Sequence, residues 1–443
     1  MKISLQSELF SQNQASSAFH FVCDDSREDP KDCAFLCTQS SSKYLKQAKE
    51  RGFLHFITPQ DLKQYWDLNL KIIGITGTNG KTTTAAMIYS ILIDMGYKVG
   101  LLGTRGFFIQ EKQIRPKGLT TPCLLEIYSA IAQAKAQGCE YFVMEVSSHA
   151  IVQNRIEGLD FALKILTNIT GDHLDYHKTL ENYIAVKNAF FTDSQTKKLI
   201  NKDEPNAHYT LNNTQTYGIE NPATLNVKAY SLTHGITAQI NYGKEEAHLD
   251  LELFGKYNLY NALAAIGAVK ILEEKPLCEI TKALENFGGV KGRMQIVSTK
   301  PLIIVDFAHT HDGMEKIFQA FLHQDIVVVF GAGGDRDRTK RPKMGFCAAS
   351  FAKRIYITSD NPRSENPQTI MQEILGGIPE TLREKRTIIL EENRSYAIKA
   401  AVQSLKANEI LLVLGKGDET YQILGDKTIE FDDSQEILKA LEN

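Results

Sequence analysis

Short apolar runs that alternate with helix-like segments mark the chain from Lys71 onwards. The first run, 71–76, is rich in isoleucine and predicts a buried parallel strand. Apolar residues then recur at helical spacing as far as Met95, and Gly96 stands where a helix would end. The alternation continues with predicted strands at 99–102, 141–146 and 163–169 and a predicted helix at 126–137. Strands that alternate with helices predict a parallel sheet with right-handed crossovers.

The apolar pattern changes its period twice in the second half of the chain. Around 226–253 it alternates every second residue, in TAQINY and HLDLEL, which predicts an antiparallel insertion or edge. An alanine-rich helical pattern returns at 255–272. Further apolar runs then predict strands at 302–307, 326–330, 354–358, 387–390 and 409–414. Because helical stretches fall between these runs, we expect a second doubly wound domain.

These patterns predict an α/β protein of three domains. A length of 443 residues suggests the same number, at about 150 residues per domain. Residues 1–70 are polar and weakly patterned, and we assign them to a small N-terminal α/β domain. The predicted central domain, 71–296, is a P-loop ATPase-like doubly wound sheet. The predicted C-terminal domain, 297–443, is a Rossmann-like doubly wound sheet.

Composition and charge narrow the possible roles. The net charge of −3 leaves no global positive field, so we expect neither nucleic acid nor an anionic membrane as a partner. No apolar run approaches the roughly 20 residues of a membrane span, and the opening segment 1–14 has no apolar signal core. The seven cysteines are scattered without a CxxC pair. This pattern indicates a reducing cytoplasm rather than a disulfide scaffold or a structural zinc site.

The segment GTNGKTT, between the first predicted strand and helix, is a candidate phosphate loop. Its glycines let backbone N–H groups point inward, and the helix N-terminus adds positive potential. Lys81 can neutralise terminal phosphates, and the Thr82 hydroxyl can hold Mg²⁺. The common pattern has glycine where Ile75 stands, so this is a shortened form, and a tight structural turn is the alternative. The predicted ATP-binding residues of the loop are Gly77, Thr78, Asn79, Gly80, Lys81, Thr82 and Thr83.

Polar motifs follow the next strands at their carboxyl ends, where α/β sheets place ligands. Glu145 begins the segment EVSSHA, and residues 172–177 have the sequence DHLDYH. Mg²⁺ prefers oxygen ligands and keeps waters, so one acid plus phosphate oxygens suffices to bind it. A lone histidine such as His173 is more often structural, and Lys187 taken alone is a solvated helix lysine.

Further segments have both a structural and a functional interpretation. Thr120 and Thr121 precede a proline and are typical of a helix start. Arg155 suits a carboxylate ligand or a surface salt bridge. In the third domain, the charged loop 333–338 and the DNPR segment 360–363 each follow a buried strand. Each of these two loops is either a solvated turn or an anion clamp.

Together, GTNGKTT, EVSSH and DHLDYH resemble the Mur ligases, which build the cell-wall peptide, and the related folylpolyglutamate synthetases. Members of this superfamily form amide bonds by activating a carboxylate with ATP. The resemblance implies catalytic roles for Lys81, Glu145, His173 and Lys187, with Mg²⁺ held at Thr82, Glu145 and His173. It also implies that Lys187 carries a CO₂-derived carbamate (N6-carboxylysine). A bare ammonium would repel the metal, whereas the carbamate is an anion that can bind it.

The resemblance also implies substrate contacts along nearly the whole chain. ATP contacts are implied at Asn261 (with Asn258 as the alternative), Arg293, Asp306 and His309. Contacts to a UDP-MurNAc-dipeptide are implied at Ser26, Thr120, Thr121, Ser147, Gln153 and Arg155. Contacts to diaminopimelate are implied at Arg336, Asp360, Asn361, Pro362, Arg363, Gly415 and Glu419. Departures from the family pattern stand at Phe307, His311 and Asp418, where tyrosine, proline and histidine are usual.

By this resemblance the protein is expected to add meso-diaminopimelate to UDP-MurNAc-L-Ala-D-Glu through an acyl phosphate, with ATP as co-substrate and Mg²⁺ as the metal. The expected role is peptidoglycan precursor synthesis, and through it cell shape and division, by a cytoplasmic monomer. Diaminopimelate carries a carboxylate that lysine lacks, and Arg363 supplies a fork for it. Two alternatives stay open, namely a folate or other glutamate-adding ligase on the same scaffold and a non-catalytic P-loop regulator that acts through a partner.

Overall fold

The computed structural model describes residues 1–5, 19–65, 69–233 and 235–442. Most of the opening segment, where no signal core is expected, and part of the predicted domain 1–70 lie outside these residues. Within the described ranges the chain forms three α/β units, each built on its own main sheet. The predicted three-domain α/β architecture is therefore confirmed. Among the described helices, none combines the length and hydropathy that a membrane crossing requires.

The N-terminal unit is a small sheet with short helices. Its described strands and α-helices are β1 (Lys2–Ser4), β2 (Phe21–Cys23), β3 (Cys33–Leu36), α1 (Leu45–Glu50), β4 (His55–Ile57) and α2 (Pro59–Tyr65). Strand β2 pairs antiparallel with β1 and parallel with β3, which pairs parallel with β4. Val22, Leu36 and Ile57 share one hydrophobic core with Leu125 and Ile131 of the central unit. This shared core holds the N-terminal sheet against the central one.

The central unit carries the predicted strand–helix alternation. Its described elements are β5 (Lys71–Thr76), α3 (Lys81–Asp94), β6 (Val99–Gly103), β7 (Gly106–Ile109), β8 (Lys112–Arg115), α4 (Leu124–Ala136), β9 (Tyr141–Glu145), α5 (Ser148–Val152), β10 (Phe161–Leu166), α6 (Leu174–His177), α7 (Leu180–Ala189), β11 (Lys197–Asn201), β12 (Thr214–Gly218), β13 (Leu225–Ser231), β14 (Ile236–Tyr242), β15 (Glu245–Leu251), α8 (Lys256–Glu273) and α9 (Leu277–Glu285).

The central sheet has a parallel middle and antiparallel edges. Its order is β15-β14-β13-β12-β11-β10-β5-β9-β6-β7-β8. The strands from β13 to β6 in this order run parallel, whereas β14, β15, β7 and β8 continue the sheet antiparallel. The antiparallel edge predicted from the period-two pattern is confirmed in β13–β15. The hairpin β7–β8 was not predicted, because its strands are short and the sequence KQIR of β8 is polar.

Helices cover both faces of the central sheet, which explains why its middle strands are apolar throughout. Helices α3 and α8 pack together on one face, where Ile88, Ile91 and Leu263 belong to a single core. Helix α4 covers the other face, together with Phe190 and Phe191. Strand β5 is buried from its second residue to its last, so its carboxyl end is held rigidly where the candidate phosphate loop begins.

The third unit is the second predicted doubly wound domain. Its described elements are β16 (Gln295–Thr299), β17 (Leu302–Asp306), α10 (His311–Gln319), β18 (Asp325–Phe330), α11 (Lys340–Phe351), β19 (Arg354–Ile357), α12 (Pro367–Gly376), α13 (Glu380–Arg383), β20 (Thr387–Leu390), α14 (Arg394–Gln403), β21 (Glu409–Leu414), β22 (Tyr421–Leu424), β23 (Lys427–Glu430) and α15 (Asp433–Leu441).

The main sheet of the third unit has the order β16-β17-β21-β18-β19-β20. All its pairs are parallel except β16 with β17, and the five strands predicted from apolar runs are confirmed. Because β16 begins at Gln295 and pairs with β17, the third unit starts before the boundary expected at 296/297. A completely buried ion pair between Arg394 and Asp433 joins α14 to α15 behind the sheet.

Candidate active site

A cleft of about 1580 Å³ lies between the central and third units, at the carboxyl ends of their parallel strands. All of its lining residues belong to these two units. Most residues predicted for the site line this cleft, namely Thr78, Asn79, Gly80, Lys81, Thr82, Thr83, Thr120, Glu145, Ser147, His173, Lys187, Asn261, Arg293, Asp306, His309, Arg336, Asp360, Asn361, Arg363, Gly415 and Glu419.

The loop between β5 and α3 is held in shape by the neighbouring strand end. The Asn168 side chain accepts from the Asn79 backbone N–H at 2.9 Å and donates to the Asn79 carbonyl at 3.0 Å. The Thr167 hydroxyl donates to the same carbonyl at 2.7 Å. These hydrogen bonds fix the shape of the loop, which leads into the N-terminus of α3, where anions are favoured.

Two glycines of this loop are required by conformation and space. Gly77 has φ +153° and Gly80 has φ +85°, a region that side chains with a Cβ rarely adopt. A Cβ at Gly77 would lie 1.8 Å from the Thr167 hydroxyl oxygen, and one at Gly80 would lie 2.4 Å from the Asn261 amide oxygen. Gly77 itself does not line the cleft but forms the base of the loop.

Lys81 folds back over the loop that precedes it. Its ammonium donates to the Gly77 and Thr78 carbonyls at 2.8 and 2.9 Å. Burial lowers the pKa of this ammonium, and the Glu145 carboxylate opposes the shift. The side chain is thus placed at the loop, where a phosphate could replace the carbonyl oxygens as its partner.

Oxygen-bearing side chains surround Glu145, at the end of β9. The Thr82 hydroxyl donates to Glu145 Oε2 at 3.0 Å, and the Thr104 backbone N–H donates to Oε1 at 2.8 Å. A carboxylate beside a hydroxyl next to a phosphate loop fits Mg²⁺, which takes oxygen ligands and completes its shell with phosphates and water. In the described part of the chain, His, Cys, Asp and Glu side chains do not assemble into a metal-binding group of three or more.

Lys187, on α7, is buried at the cleft wall with 1% of its surface exposed. Its ammonium lies 4.8 Å from the centroid of the Tyr183 ring, and the acid that acts on it electrostatically is Asp172. Burial lowers its pKa well below the ordinary lysine value, and nearby Lys81 adds to the effect. As an ammonium this group does not fit a Mg²⁺ site, whereas a carbamate on the neutral amine would fit one.

His173 lies beside the acid Asp172 and a second histidine. Its Nε2 is 3.5 Å from Asp172 Oδ2, and its ring centroid is 5.0 Å from that of His149. Burial lowers the pKa of His173 to about 4, although Asp172 opposes the shift. A neutral imidazole can accept a proton or coordinate a metal, so the residue is chemically suited to either role.

The residues expected to bind the dipeptide divide into a cleft-facing group and a supporting group. Thr120 and Ser147 line the cleft. Thr121 lies behind them, where its hydroxyl donates to the Glu145 carbonyl at 2.9 Å. Arg155 donates to the Thr121 carbonyl at 2.7 Å. The supporting residues therefore hold the cleft-facing ones in position.

Two further predicted dipeptide contacts also lie outside the cleft. Gln153 accepts from the Arg155 guanidinium at 2.6 Å, and like Arg155 it does not line the cleft. Ser26 lies in the N-terminal unit, where its hydroxyl donates to the Gln47 side chain at 2.9 Å. The structure does not bring Ser26 together with the cleft residues.

The DNPR loop after β19 is a rigid part of the opposite wall. Arg363 has φ +51°, and its guanidinium donates to the Gly334 carbonyl at 2.8 Å. The Asn361 side chain donates to Glu419 Oε2 at 2.9 Å, which ties this loop to the loop after β21. Pro362 lies behind the wall, where its carbonyl would be 1.8 Å from a Cβ at Gly334.

The residues expected near ATP in the third unit surround Asp306. Its carboxylate accepts from the backbone N–H groups of Met294 and Ala308, each at 2.7 Å. Burial raises the pKa of Asp306, and Arg293 opposes the shift. The Arg293 guanidinium lies 4.2 Å from the centroid of the Phe307 ring, so the cation stacks on the position where this chain departs from the family pattern.

Many residues that contact the site were not among the predicted site residues, and five of them show why. Thr104 and Asn168 were missed because neither lies in a charged motif, although Thr104 directly follows β6 and Asn168 lies two positions after β10. Tyr183 shares a 3.0 Å hydrogen bond with the Thr78 hydroxyl. The fully buried Lys416 donates to Glu419 at 3.0 Å, and its position between two glycines could have marked it. Asp312 contacts the phosphate loop from the third unit, which no local pattern indicates.

Comparisons with known proteins agree with this geometry. The family model of the Mur ligase middle domain matches residues 75–269, and that of the Mur ligase glutamate ligase domain matches residues 292–417. The chain belongs to the Mur ligase family.

Relatives within the family carry a more specific name. The chain is 58% identical over 421 residues to a UDP-N-acetylmuramoyl-L-alanyl-D-glutamate--2,6-diaminopimelate ligase of Wolinella succinogenes, over 95% of this chain and 96% of that protein. It is 52% identical over 433 residues to the Helicobacter pylori protein of the same name, over 95% of each.

Solved structures support the same grouping. A ligase of that name superimposes with a TM-score of 0.68 at 27% identity, over 100% of this chain and 99% of that one. A Mycobacterium tuberculosis folylpolyglutamate synthase, complexed with ADP and AMPPCP, superimposes with a TM-score of 0.63 at 17% identity, over 81% of this chain and 91% of that one. The second likeness shows a shared fold alone.

Proposed function

We propose that the protein is an ATP-dependent ligase that joins meso-diaminopimelate to UDP-N-acetylmuramoyl-L-alanyl-D-glutamate in peptidoglycan precursor synthesis. The observation that carries this proposal is the cleft itself. A phosphate loop with Lys81 and Glu145 lies on one wall, and a rigid loop with Arg363 lies on the other. The relatives of 58% and 52% identity, named for this reaction, support the same assignment.

The first step is activation of the peptide acid on the central unit. An oxygen of the D-glutamate carboxylate attacks the γ-phosphorus of ATP, the bond to the bridging oxygen breaks, and ADP leaves with that electron pair. Lys81 and the N–H groups of residues 77–83 stabilise the charge that spreads over the phosphate oxygens. Mg²⁺, when bound near Thr82 and Glu145, supplies further neutralisation of that charge.

The second step is attack by the amine of diaminopimelate on the acyl phosphate. The amine nitrogen bonds to the acyl carbon and loses a proton, and the carbon–oxygen bond to phosphate breaks. Arg363 and Arg336 can hold the carboxylate that distinguishes diaminopimelate from lysine. The Glu419 carboxylate offers an acceptor for its amino group, and the Asn361 amide, which donates to Glu419 at 2.9 Å, offers a donor for its second acid. Closure of the two walls excludes water, which would hydrolyse the intermediate.

We also propose that Lys187 is carbamylated in the active enzyme. The amine is buried, and its lowered pKa favours the neutral form that reacts with CO₂. That reaction forms a nitrogen–carbon bond and releases one proton, which leaves an anion facing the cleft. For the other ligand contacts, we propose the residues that the sequence analysis names. We also propose that the protein is a cytoplasmic monomer and does not bind nucleic acid.

The function is tested by measuring phosphate release and product mass with purified enzyme. We expect phosphate only when ATP, Mg²⁺, the UDP-MurNAc-dipeptide and diaminopimelate are all present, and we expect the tripeptide product in equal amount. In competition, diaminopimelate should be incorporated in preference to lysine. Phosphate release from ATP alone, or preferential addition of lysine, would contradict the proposal.

The carbamate is tested by comparing Lys187→Ala, Lys187→Arg and the control Lys202→Ala, whose side chain is exposed and does not line the cleft. We expect both Lys187 variants to lose nearly all ligase activity, because arginine keeps the charge but forms no carbamate. Acetate or formate at high concentration should partly restore Lys187→Ala only. Full activity in either Lys187 variant would remove the carbamate from the mechanism.

A further inference from the structure

An ion pair joins the central and third units beside the cleft and takes no part in the chemistry described above. Lys117 Nζ lies 3.1 Å from Asp418 Oδ1. The two side chains are 30% and 10% exposed, so the pair is partly withdrawn from water. An ion pair in such surroundings is less screened than a pair on the open surface.

Each partner belongs to a loop that carries a substrate-facing residue. Lys117 lies between β8 and α4, three positions before Thr120, which lines the cleft and shares a 3.1 Å hydrogen bond with Thr104. Asp418 follows β21 and directly precedes Glu419, which lines the opposite wall. The pair thus connects the loop proposed to hold the peptide acid with the loop proposed to hold the amino acid.

The Asp418 end of the pair is anchored firmly. A Cβ at Gly292 would lie 2.0 Å from the Asp418 backbone nitrogen, so the loop after β21 packs directly on the interdomain linker. The Lys117 ammonium lies 5.7 Å from the centroid of the Phe307 ring, where it adds a contact between the two units. The Asp418 carboxylate is therefore held in place, and the loop bearing Lys117 is attached to it through the ion pair.

We propose that Lys117 and Asp418 are positioning residues that set the separation between the activated peptide acid and the incoming amine. This inference rests on the proposed ligase function. When the pair is lost, the loop with Thr120 is no longer held against the loop with Glu419. Attack by the amine on the acyl phosphate then becomes slower, and a larger share of the acyl phosphate is hydrolysed by water. Phosphate release should therefore exceed peptide formation, which a purely structural pair would not cause.

The test compares Lys117→Glu, Asp418→Lys and the double variant that carries both changes. We expect each single variant to lower kcat/KM for diaminopimelate about tenfold, within the range of coupling between contacting residues. The ratio of phosphate released to peptide formed should rise above one, and binding of ADP should stay unchanged. The double variant, in which the charges are exchanged, should regain most of the lost activity and a ratio near one.

A matched control uses the ion pair between Lys63 and Asp160, which joins the N-terminal and central units at 2.8 Å outside the cleft. The same charge reversals there should leave the kinetic constants and the ratio unchanged. Small-angle X-ray scattering of all variants gives a readout that needs no substrate. The single variants at 117 and 418 should enlarge the radius of gyration, and the double variant should restore it.

Failure of the pair and failure of the proposed function give different results. If the wild-type enzyme makes no tripeptide, the proposed function is wrong. If the single variants still enlarge the radius of gyration and the double variant restores it, the role of the pair in joining the units is supported all the same. Two results with an active wild-type enzyme would overturn the proposed role of the ion pair. In one, the single variants have the kinetic constants and the phosphate-to-peptide ratio of the wild type. In the other, the double variant loses as much activity as the two single variants combined.

Discussion

At the scale of the residue, backbone conformation and space both require glycine at position 80. Its φ of +85° is unfavourable for any residue with a Cβ, and the added atom would lie 2.4 Å from the Asn261 amide oxygen. Asn261 cannot easily move away, because it is buried and hydrogen-bonded to Thr84 at 3.3 Å and Asn258 at 3.0 Å. Backbone strain and a collision with a fixed neighbour therefore act at the same position.

We expect Gly80→Ala to raise the KM for ATP at least tenfold, because the loop must shift to relieve the contact with Asn261. The measurement is steady-state kinetics with varied ATP. Gly96→Ala is the matched control, since Gly96 has φ +88° but no atom within 4 Å of its added Cβ. That variant carries the backbone strain alone, about 1–2 kcal/mol, and should keep its KM. Equal KM values for the two glycine variants would refute the role of the collision.

At the scale of the element, the start of α11 holds two loops of the third unit together. The fully buried Arg341 donates to Glu365 Oε1 and to Glu373 Oε2, each at 2.7 Å, and to the Gly333 carbonyl at 3.1 Å. Glu365 also accepts from the Asp335 backbone N–H at 2.6 Å. The loops that bear Arg336 and Arg363 are fixed relative to each other by this network, although neither loop contains Arg341.

The network predicts a specific dependence of stability on pH. Hydrogen bonding to Arg341 lowers the pKa of Glu365 to about 2 from an ordinary value of 4.5. A lowered native-state pKa contributes stability that is complete above about pH 4.5 and is lost as pH falls towards about 2. We expect Glu365→Gln to lower the melting temperature by a few degrees at pH 7. The melting temperature of this variant should also fall less steeply than that of the wild type between about pH 4.5 and about pH 2. Calorimetry at several pH values measures both effects.

Glu380→Gln is the control for this prediction. Glu380 pairs with Arg383 at 3.7 Å, but its side chain is 75% exposed, so the charge is well screened. Its melting curve should follow that of the wild type at every pH. A Glu365→Gln protein with the wild-type decline between pH 4.5 and 2 would show that the network contributes nothing to acid stability.

At the scale of the whole molecule, the third unit contacts the phosphate loop directly. Asp312 lies in the first turn of α10, and its Oδ2 accepts from the Asn79 side chain at 3.1 Å and from the Thr170 hydroxyl at 3.1 Å. Lys316 donates to the same oxygen at 2.9 Å and balances its charge. The conformation of the loop on one unit therefore depends on the placement of the other.

We expect Asp312→Ala to raise the KM for ATP several-fold with a smaller change in the KM for diaminopimelate, because the loop loses a partner while the opposite wall is intact. Asp312→Asn keeps one acceptor oxygen and should recover part of the loss. Glu315→Ala, on the same helix but exposed, is the control and should behave as wild type. Equal effects on both KM values would indicate general loosening of the two units instead.

Much of the fold was predictable because its signals are local. The run 71–76 is confirmed as β5 at both ends, and the five apolar runs of the third unit all became strands. The hairpin β7–β8 was missed because both strands are only four residues long and the edge strand β8 is polar. An edge strand forms only where a neighbouring strand is available to pair with it, and the sequence of the edge strand does not identify that neighbour.

The sequence by itself determined the phosphate loop, most of the order of strands and helices from residue 71 onwards, and the motifs that end those strands, because each depends on residues close together along the chain. Only the tertiary structure decided that Asp312 meets Asn79 and that Lys117 meets Asp418, which lie 233 and 301 positions apart. It also decided that Arg155 and Gln153 support the cleft rather than line it. Such contacts arise from how the sheets pack, and packing depends on the whole core rather than on any one segment.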